Sequence, residues 1–262
     1  MTVTLINNKF VDKKNAKVPL YSDAFMRGFG VFETLRTHQD KKFFKLDDHL
    51  DRLFNSAGKI DLKVKYSKKK IIKMLNKVVK KSNHKTQRIK IIVIKEAVII
   101  SSVKTKIDKN IYNGVKTISI NRMREIPEIK SLSYISSFIS HEEAVKKGYY
   151  EAMLIDDKGE VYEGAYSNLF WFEKNILCTR EKDILPGITR KAIIELSPYK
   201  IKYKKIKLKE LIRKKEIFIT QSVKGIIPVK SIDNKIIGNG DVGSKTREMM
   251  NLYTSACISQ CS

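Results

Sequence analysis

Acidic residues are scarce in this chain. Twenty-eight Asp and Glu stand against 53 Lys and Arg, a formal charge of +25 over 262 residues. Cysteine is scarcer still. Cys178, Cys257 and Cys261 are too few and too unevenly placed for a disulfide framework, which excludes a small stapled scaffold. No run of about 18 apolar residues occurs, so no spanning helix is expected. The opening MTVTLINNKF has no basic stretch leading into an apolar one, the pattern of a secretory signal. A cytoplasmic protein is the expectation. There is no internal repeat and no low-complexity linker. What is present is an ordinary hydrophobic fraction of 42%, enough at this length for one or two domains with real cores.

The positive charge raises nucleic-acid binding as one reading. A solvated lysine-rich surface is the preferred one. The lysines are spread along the chain, short runs such as Lys68-Lys69-Lys70 aside, and no zinc-finger spacing or aromatic RNA-binding motif accompanies them. No specific nucleic acid, membrane or metal partner is expected, although the charge would attract anions without specificity.

Pattern and punctuation predict a mixed α+β chain. Strands are expected over 3–6, 31–37, 42–46, 88–94 and 97–101. Asp47 is read as the cap of a helix whose buried stripe is Leu50, Leu53, Phe54 and Ala57, with His49, Arg52 and Ser56 on another face. A second, lysine-rich helix covers 66–81. Residues 1–108 form a small first domain, 109–114 a linker, and 115–262 a larger second domain. That second part opens with a strand at 115–121 and a helix at 136–147 closed by Gly148. A hairpin at 152–162, strands at 169–172, 176–179 and 217–220, and helices at 187–196 and 240–252 follow. Cys257 and Cys261 fall in a small-residue tail expected to fray.

Chemistry gathers at a few points. Lys130 sits in Ile-Pro-Glu-Ile-Lys-Ser-Leu-Ser-Tyr, and an amine neutral for part of the time attacks aldehydes. Glu163 opens Glu-Gly-Ala-Tyr-Ser-Asn-Leu-Phe, and a carboxylate beside a pyridine nitrogen keeps that nitrogen protonated. Gly187-Ile188-Thr189 begins a helix, whose free N–H groups and dipole favour a phosphate. Ser222 adds a hydroxyl, and Arg52 a fork of donors suited to a phosphate dianion. One amine, one carboxylate and one helix start suit the aldehyde, ring nitrogen and phosphate of pyridoxal phosphate. Taken singly, each is as well read as a surface lysine, a hairpin glutamate or a plain helix start.

Together these segments resemble the class IV, fold type IV, pyridoxal-phosphate-dependent aminotransferases. The likeness runs through Ser22 to Thr34, His49 to Leu53, the Lys130 segment, Glu163 to Phe170, Leu185 to Arg190 and Phe218 to Val229, nearly the whole chain. It implies a small N-terminal α/β domain and a larger C-terminal mixed α/β domain with the cofactor between them, in a homodimer. It implies that Lys130 is the Schiff-base lysine and proton shuttle, and that Glu163 partners the ring nitrogen. Arg52, Ile188 through its backbone, Thr189 and Ser222 are implied at the phosphate, Tyr134 at the phenolic oxygen, and Val223 among the residues that bind the cofactor.

The resemblance further implies ping-pong transfer of an amino group between an amino acid and a 2-oxo acid. Substrate choice is less direct. The family's usual Asn three residues after the lysine is Ser133 here. The Arg-x-His pair of familiar D-amino-acid enzymes is absent from Glu96-Ala97-Val98-Ile99-Ile100. Branched-chain enzymes place tyrosine at Arg27, glycine at Thr34 and often arginine at Lys90. Aminodeoxychorismate lyase agrees at Thr34 and Lys90, but its further arginine falls on Ile100. Arg27-Gly28-Phe29-Gly30 and Val223-Lys224-Gly225 resemble a less usual D-amino-acid group. That likeness implies that Arg27, from either subunit, and Lys90 hold the substrate carboxylate, with Phe32, Thr34 and Arg88 beside them. The reading leans to D-amino acids, with a branched-chain L-amino-acid transaminase and the lyase as alternatives.

Overall fold

The computed structural model describes residues 2–261. Two compact units result. One gathers the chain up to Lys106, the segment Ile129–Ser133 and the residues from Ala256 onward; the other gathers Ile107–Glu128 and Tyr134–Ser255. The sequence reading drew one boundary, at 109–114. Residues Lys109–Asn113 form a 3-10 turn whose Ile111 joins the core of the second unit. Ile129 packs in the core of the first.

The described residues of the first unit build a five-stranded antiparallel sheet. Its strands are β1 (Val3–Ile6), β2 (Lys9–Phe10), β3 (Val31–Arg36), β4 (Gln87–Val93) and β5 (Val98–Lys104), in the order β2-β1-β5-β4-β3. Its helices are α1 (Asp23–Arg27), α2 (Leu46–Gly58) and α3 (Lys68–Lys81). Leu50, Leu53 and Ala57 of α2 and Ile71, Met74, Leu75 and Val78 of α3 share a core with Leu5, Leu35, Ile89 and Ile91. The apolar stripe at helical spacing meets the inward residues of alternating strands, which is why helix and sheet pack.

Residues 42–46 are not the expected strand. Phe43 makes a single bridge to Thr37, and the left-handed Lys45 (φ 55°) turns the chain into α2. Asp47 is accordingly not the cap. With Asp48 it lies in the first turn, where negative charge suits the helix dipole. Ser67 caps α3, accepting from the Lys70 N–H at 3.3 Å, so that helix begins two residues later than the pattern suggested.

In the second unit the described strands join one mixed sheet. It comprises β6 (Val115–Asn121), β7 (Glu151–Ile155), β8 (Glu160–Gly164), β9 (Asn168–Glu173), β10 (Ile176–Thr179), β11 (Lys200–Tyr203), β12 (Ile206–Lys207), β13 (Ile217–Gln221), β14 (Gly225–Ile232) and β15 (Lys235–Ile236). The order is β11-β10-β9-β13-β14-β6-β7-β8-β12, with β15 on β14. Only β10–β11, β14–β6 and β6–β7 run parallel. Helices are α4 (Ile135–Lys146), α5 (Ile188–Leu196), α6 (Leu208–Leu211) and the part of α7 (Ser244–Ser259) up to Ser255, its remaining residues being grouped with the first unit.

Trp171, Ile217, Ile219 and Ile227 are buried at the centre of the sheet's core. The predicted hairpin is β7–β8, turned by Gly159 at φ 72°. The tail does not fray: α7 runs on to Ser259 and Cys257 is buried on it. Within the described residues no helix is long and apolar enough to cross a membrane.

Candidate active site

In the first unit, residues 129–133 lie along β3. Ser131 bridges Val31, the Phe32 N–H donates to the Lys130 carbonyl at 2.9 Å, and the Leu132 N–H donates to the Gly30 carbonyl at 2.9 Å. Glycine is needed at position 30. A Cβ there would stand 2.7 Å from Leu132 Cδ1 and 2.8 Å from the Val93 carbonyl oxygen. The Lys130 N–H reaches Ser56 Oγ at 3.4 Å, which draws on the polar face of α2. The Lys130 ammonium lies 4.5 Å from the centroid of the Phe32 ring, and that of Lys90 4.7 Å from the same centroid.

Strand alternation explains this grouping. Phe32 and Thr34 point to one face of the sheet, and Lys90 stands directly across from Thr34, with Arg88 two residues along. Partial burial, and then the charge of Arg88, lower the Lys90 amine below its ordinary value. Arg27 is not brought to this face. It lies on α1, its side chain 72% exposed, and pairs with Asp23 one turn back.

Glu33, between Phe32 and Thr34, points the other way and meets α2. Its Oε1 accepts from Arg52 Nε at 2.6 Å, and its Oε2 from Arg52 Nη2 at 2.9 Å. His49 Nδ1 lies 2.8 Å from Oε2. All three side chains are buried. Burial alone would raise the Glu33 carboxyl, but the Arg52 charge and the His49 hydrogen bond outweigh it and hold it at about 2. Burial pushes the His49 imidazole down, against the pull of Glu33.

The sequence reading assigned Arg52 and gave Glu33 no role. The signal was available: a carboxylate at an inward strand position needs a cation. A depressed carboxyl stabilises the fold above the unfolded value of 4.5, and this contribution is lost as pH falls toward 2. Unfolding followed between pH 5 and 2 is therefore expected to show a loss of stability that Glu33→Gln lacks. An unchanged acid limb in the variant would remove this assignment.

In the second unit, Glu163 near the end of β8 is 3% exposed. Its Oε1 accepts from Arg124 Nη1 at 3.2 Å, and its Oε2 from Asn168 Nδ2 and from the Leu185 N–H, each at 3.0 Å. Tyr134 donates its hydroxyl to the Ala165 carbonyl at 3.4 Å, stacks on Tyr166 at 5.5 Å and faces the Arg124 guanidinium at 5.6 Å. Burial raises the Tyr134 phenol well above its ordinary value, and the charge of Arg124 only partly opposes this. The turn after Glu163 is held by buried Glu151, which accepts from the Tyr166 N–H at 3.2 Å and from Ser167 Oγ at 3.1 Å.

The helix α5 starts at Ile188 after Gly187, which brings no capping side chain. Ile188 and Thr189 are buried in its first turn. Ser222 and Val223 lie in the turn between β13 and β14. That turn is anchored by Tyr112, which donates to the Lys224 carbonyl at 2.9 Å, and by Lys224 Nζ on the Tyr150 hydroxyl at 2.7 Å. Beside it, the Thr220 hydroxyl is buried without a hydrogen-bond partner. An orphaned buried hydroxyl and a side-chain-free helix start suit an anion. A buried carboxylate that faces Arg124 and two N–H donors suits a protonated ring nitrogen. The residues present therefore fit pyridoxal phosphate in donor set and charge.

Comparison with known proteins names the class. Residues 30–232 match the family model Amino-transferase class IV. The chain belongs to the class IV aminotransferases, transaminases that work with pyridoxal phosphate. A Methanocaldococcus jannaschii protein, provisionally named a branched-chain-amino-acid aminotransferase, is 30% identical, covering 93% of this chain and 92% of its own length. The D-alanine aminotransferase of Listeria innocua is 27% identical, over 98% of this chain and 96% of its own. Among solved structures, the branched-chain aminotransferase of Thermoproteus uzoniensis with norvaline superposes at a TM-score of 0.90 with 26% identity, covering 98% of this chain and 95% of its own.

Proposed function

We propose that this aminotransferase uses D-amino acids as donors and 2-oxo acids as acceptors, with Lys130 as the catalytic residue. The observation that carries the reading is the shared Phe32 ring. It sets Lys90, a cation able to hold a substrate carboxylate, beside the amine of Lys130. The relatives named D-alanine aminotransferases agree with it. When bound, pyridoxal phosphate supplies an aldehyde for the amine and a ring that takes up the electron pair left at Cα.

With the cofactor held, Lys130 would be the amine that binds its aldehyde carbon, and once displaced by the donor it would act as the base that moves the Cα proton. Glu163 keeps the ring nitrogen protonated. Arg52, the backbone of Ile188, Thr189 and Ser222 would hold the phosphate, Tyr134 the phenolic oxygen, and Val223 would lie against the cofactor. Lys90, Phe32, Thr34 and Arg88 line the substrate side. Arg27 completes the carboxylate site from a second copy of the chain.

A homodimer is also favoured by Leu20, Tyr21, Phe25 and Met26, large apolar side chains left exposed around α1. A cytoplasmic location suits the three free thiols. A second reading, a branched-chain L-amino-acid transaminase, is favoured by the relative at 30% identity.

The test is a half-reaction. D-alanine, D-glutamate, L-leucine and L-glutamate are added separately to yellow holoenzyme without acceptor, and the visible band is followed. Bleaching by the D-amino acids alone is expected. Bleaching by L-leucine and L-glutamate instead replaces the first reading by the second.

A further inference from the structure

Asn168 opens β9, and its side chain meets three separate pieces of the second unit. Its Nδ2 donates to Glu163 Oε2 at 3.0 Å and to the Leu185 carbonyl at 2.9 Å. Its Oδ1 stands against Gly187, where a Cβ would lie only 1.9 Å away. The Leu185 N–H closes the ring of contacts on the same Glu163 oxygen, at 3.0 Å. Asn168 is 4% exposed, and in the β9–β13 ladder it sits opposite Thr220, the residue with the orphaned hydroxyl. An amide is what this spot requires. It gives two donors to two acceptors and presents an oxygen on its other side, whereas an aspartate would only accept and would face Glu163 with a like charge.

We propose that Asn168 is a positioning residue that holds the Glu163 carboxylate and the start of α5 in one fixed relation, so that a single side chain sets the spacing between the ring-nitrogen partner and the phosphate site. It acts through Glu163 and through Gly187. The proposal rests on the roles given to Glu163 and α5 above. The physical motive is that the ligand is rigid between its ring nitrogen and its phosphate-bearing carbon. Two anchors that drift independently cannot both be satisfied.

The experiment uses purified protein, loaded with cofactor and freed of it. Pyridoxal phosphate affinity, the visible band of the bound form and the melting temperature of the cofactor-free protein are measured for five variants: Asn168→Ala, Asn168→Asp, Gly187→Ala, Asn168→Ala with Gly187→Ala, and Glu163→Gln. Asn168→Ala is expected to weaken binding about tenfold, the effect of freeing one charged acceptor, and to shift the band in the direction that Glu163→Gln shifts it. Asn168→Asp, equal in size, should do the same more strongly. Gly187→Ala alone should weaken binding because its methyl meets the amide. The double variant should bind no worse than Asn168→Ala, since removing the amide makes room.

A role in stability alone would lower the melting temperature without moving the band. That outcome overturns the proposal, as does a Gly187→Ala defect that persists in full on top of Asn168→Ala. The two levels of failure are distinguishable. If Glu163→Gln shifts the band and Asn168→Ala does not, the positioning role falls alone. If Glu163→Gln is itself silent in band and affinity, the assignment of Glu163 falls and the proposal with it.

Discussion

Lys130→Ala is expected to leave a folded protein that has lost turnover by about 100- to 10,000-fold through lost proton transfer alone. The loss of the covalent link to the aldehyde adds to that figure. Two features make the prediction specific to this lysine among so many. Its backbone is locked to β3 by the Phe32 and Leu132 hydrogen bonds, so the side chain leaves a fixed point. Its ammonium is held over Phe32 rather than in solvent. None of those backbone bonds involves the amine, so the melting temperature of the cofactor-free variant should stay close to that of the parent. Steady-state rates and the visible spectrum of the loaded variant check this together. A variant that keeps its rate and its yellow colour would show that Lys130 is not the nucleophile.

Glu33→Ala is expected to have the largest effect on stability. It removes the one carboxylate that Arg52 and His49 share inside the first unit, and leaves a guanidinium buried at 7% exposure without that partner. Breaking a buried pair from one side costs about 3–5 kcal/mol, a large part of the roughly 5–15 kcal/mol that holds a domain. Denaturant unfolding monitored through the first unit should show the loss, and Glu33→Gln, which keeps volume and one acceptor, a smaller one. A change below about 1 kcal/mol would mean that the cluster is not coupled as its distances imply. Because Arg52 is also the arginine proposed at the phosphate, cofactor affinity should fall in the same variants.

Much of the fold was legible in the chain. The strands at 3–6, 115–121 and 176–179 stand where alternation puts them. Helices α3, α4 and α5 appear within two residues of their expected ends, because an apolar stripe and Ser or Gly punctuation are local signals. The failures were local conflicts settled by longer-range contacts. Residues 42–46 read as a strand, but the left-handed turn at Lys45 starts a helix. Short elements such as α1, α6 and β15 carry too few residues to show a period. The tail after 252 looked too small to be held, yet Tyr253, Ala256 and Cys257 are buried, and burial depends on what lies opposite.

The site divides along the same line. From the sequence, an amine at 130, a carboxylate at 163 and a glycine-led helix start at 187 suited pyridoxal phosphate, and the likeness running through nearly the whole chain pointed to the family. Tertiary structure alone decided how each is held. It turned Glu33 inward to clamp Arg52. It laid Lys90 and Lys130 on one phenyl ring, and it left Arg27 on the surface. It also placed Asn168 against Glu163, Leu185 and Gly187. A residue's type limits what it can do. Which groups stand within about 3 Å of it depends on strand register and on which loops return to the same strand, and no local pattern encodes that.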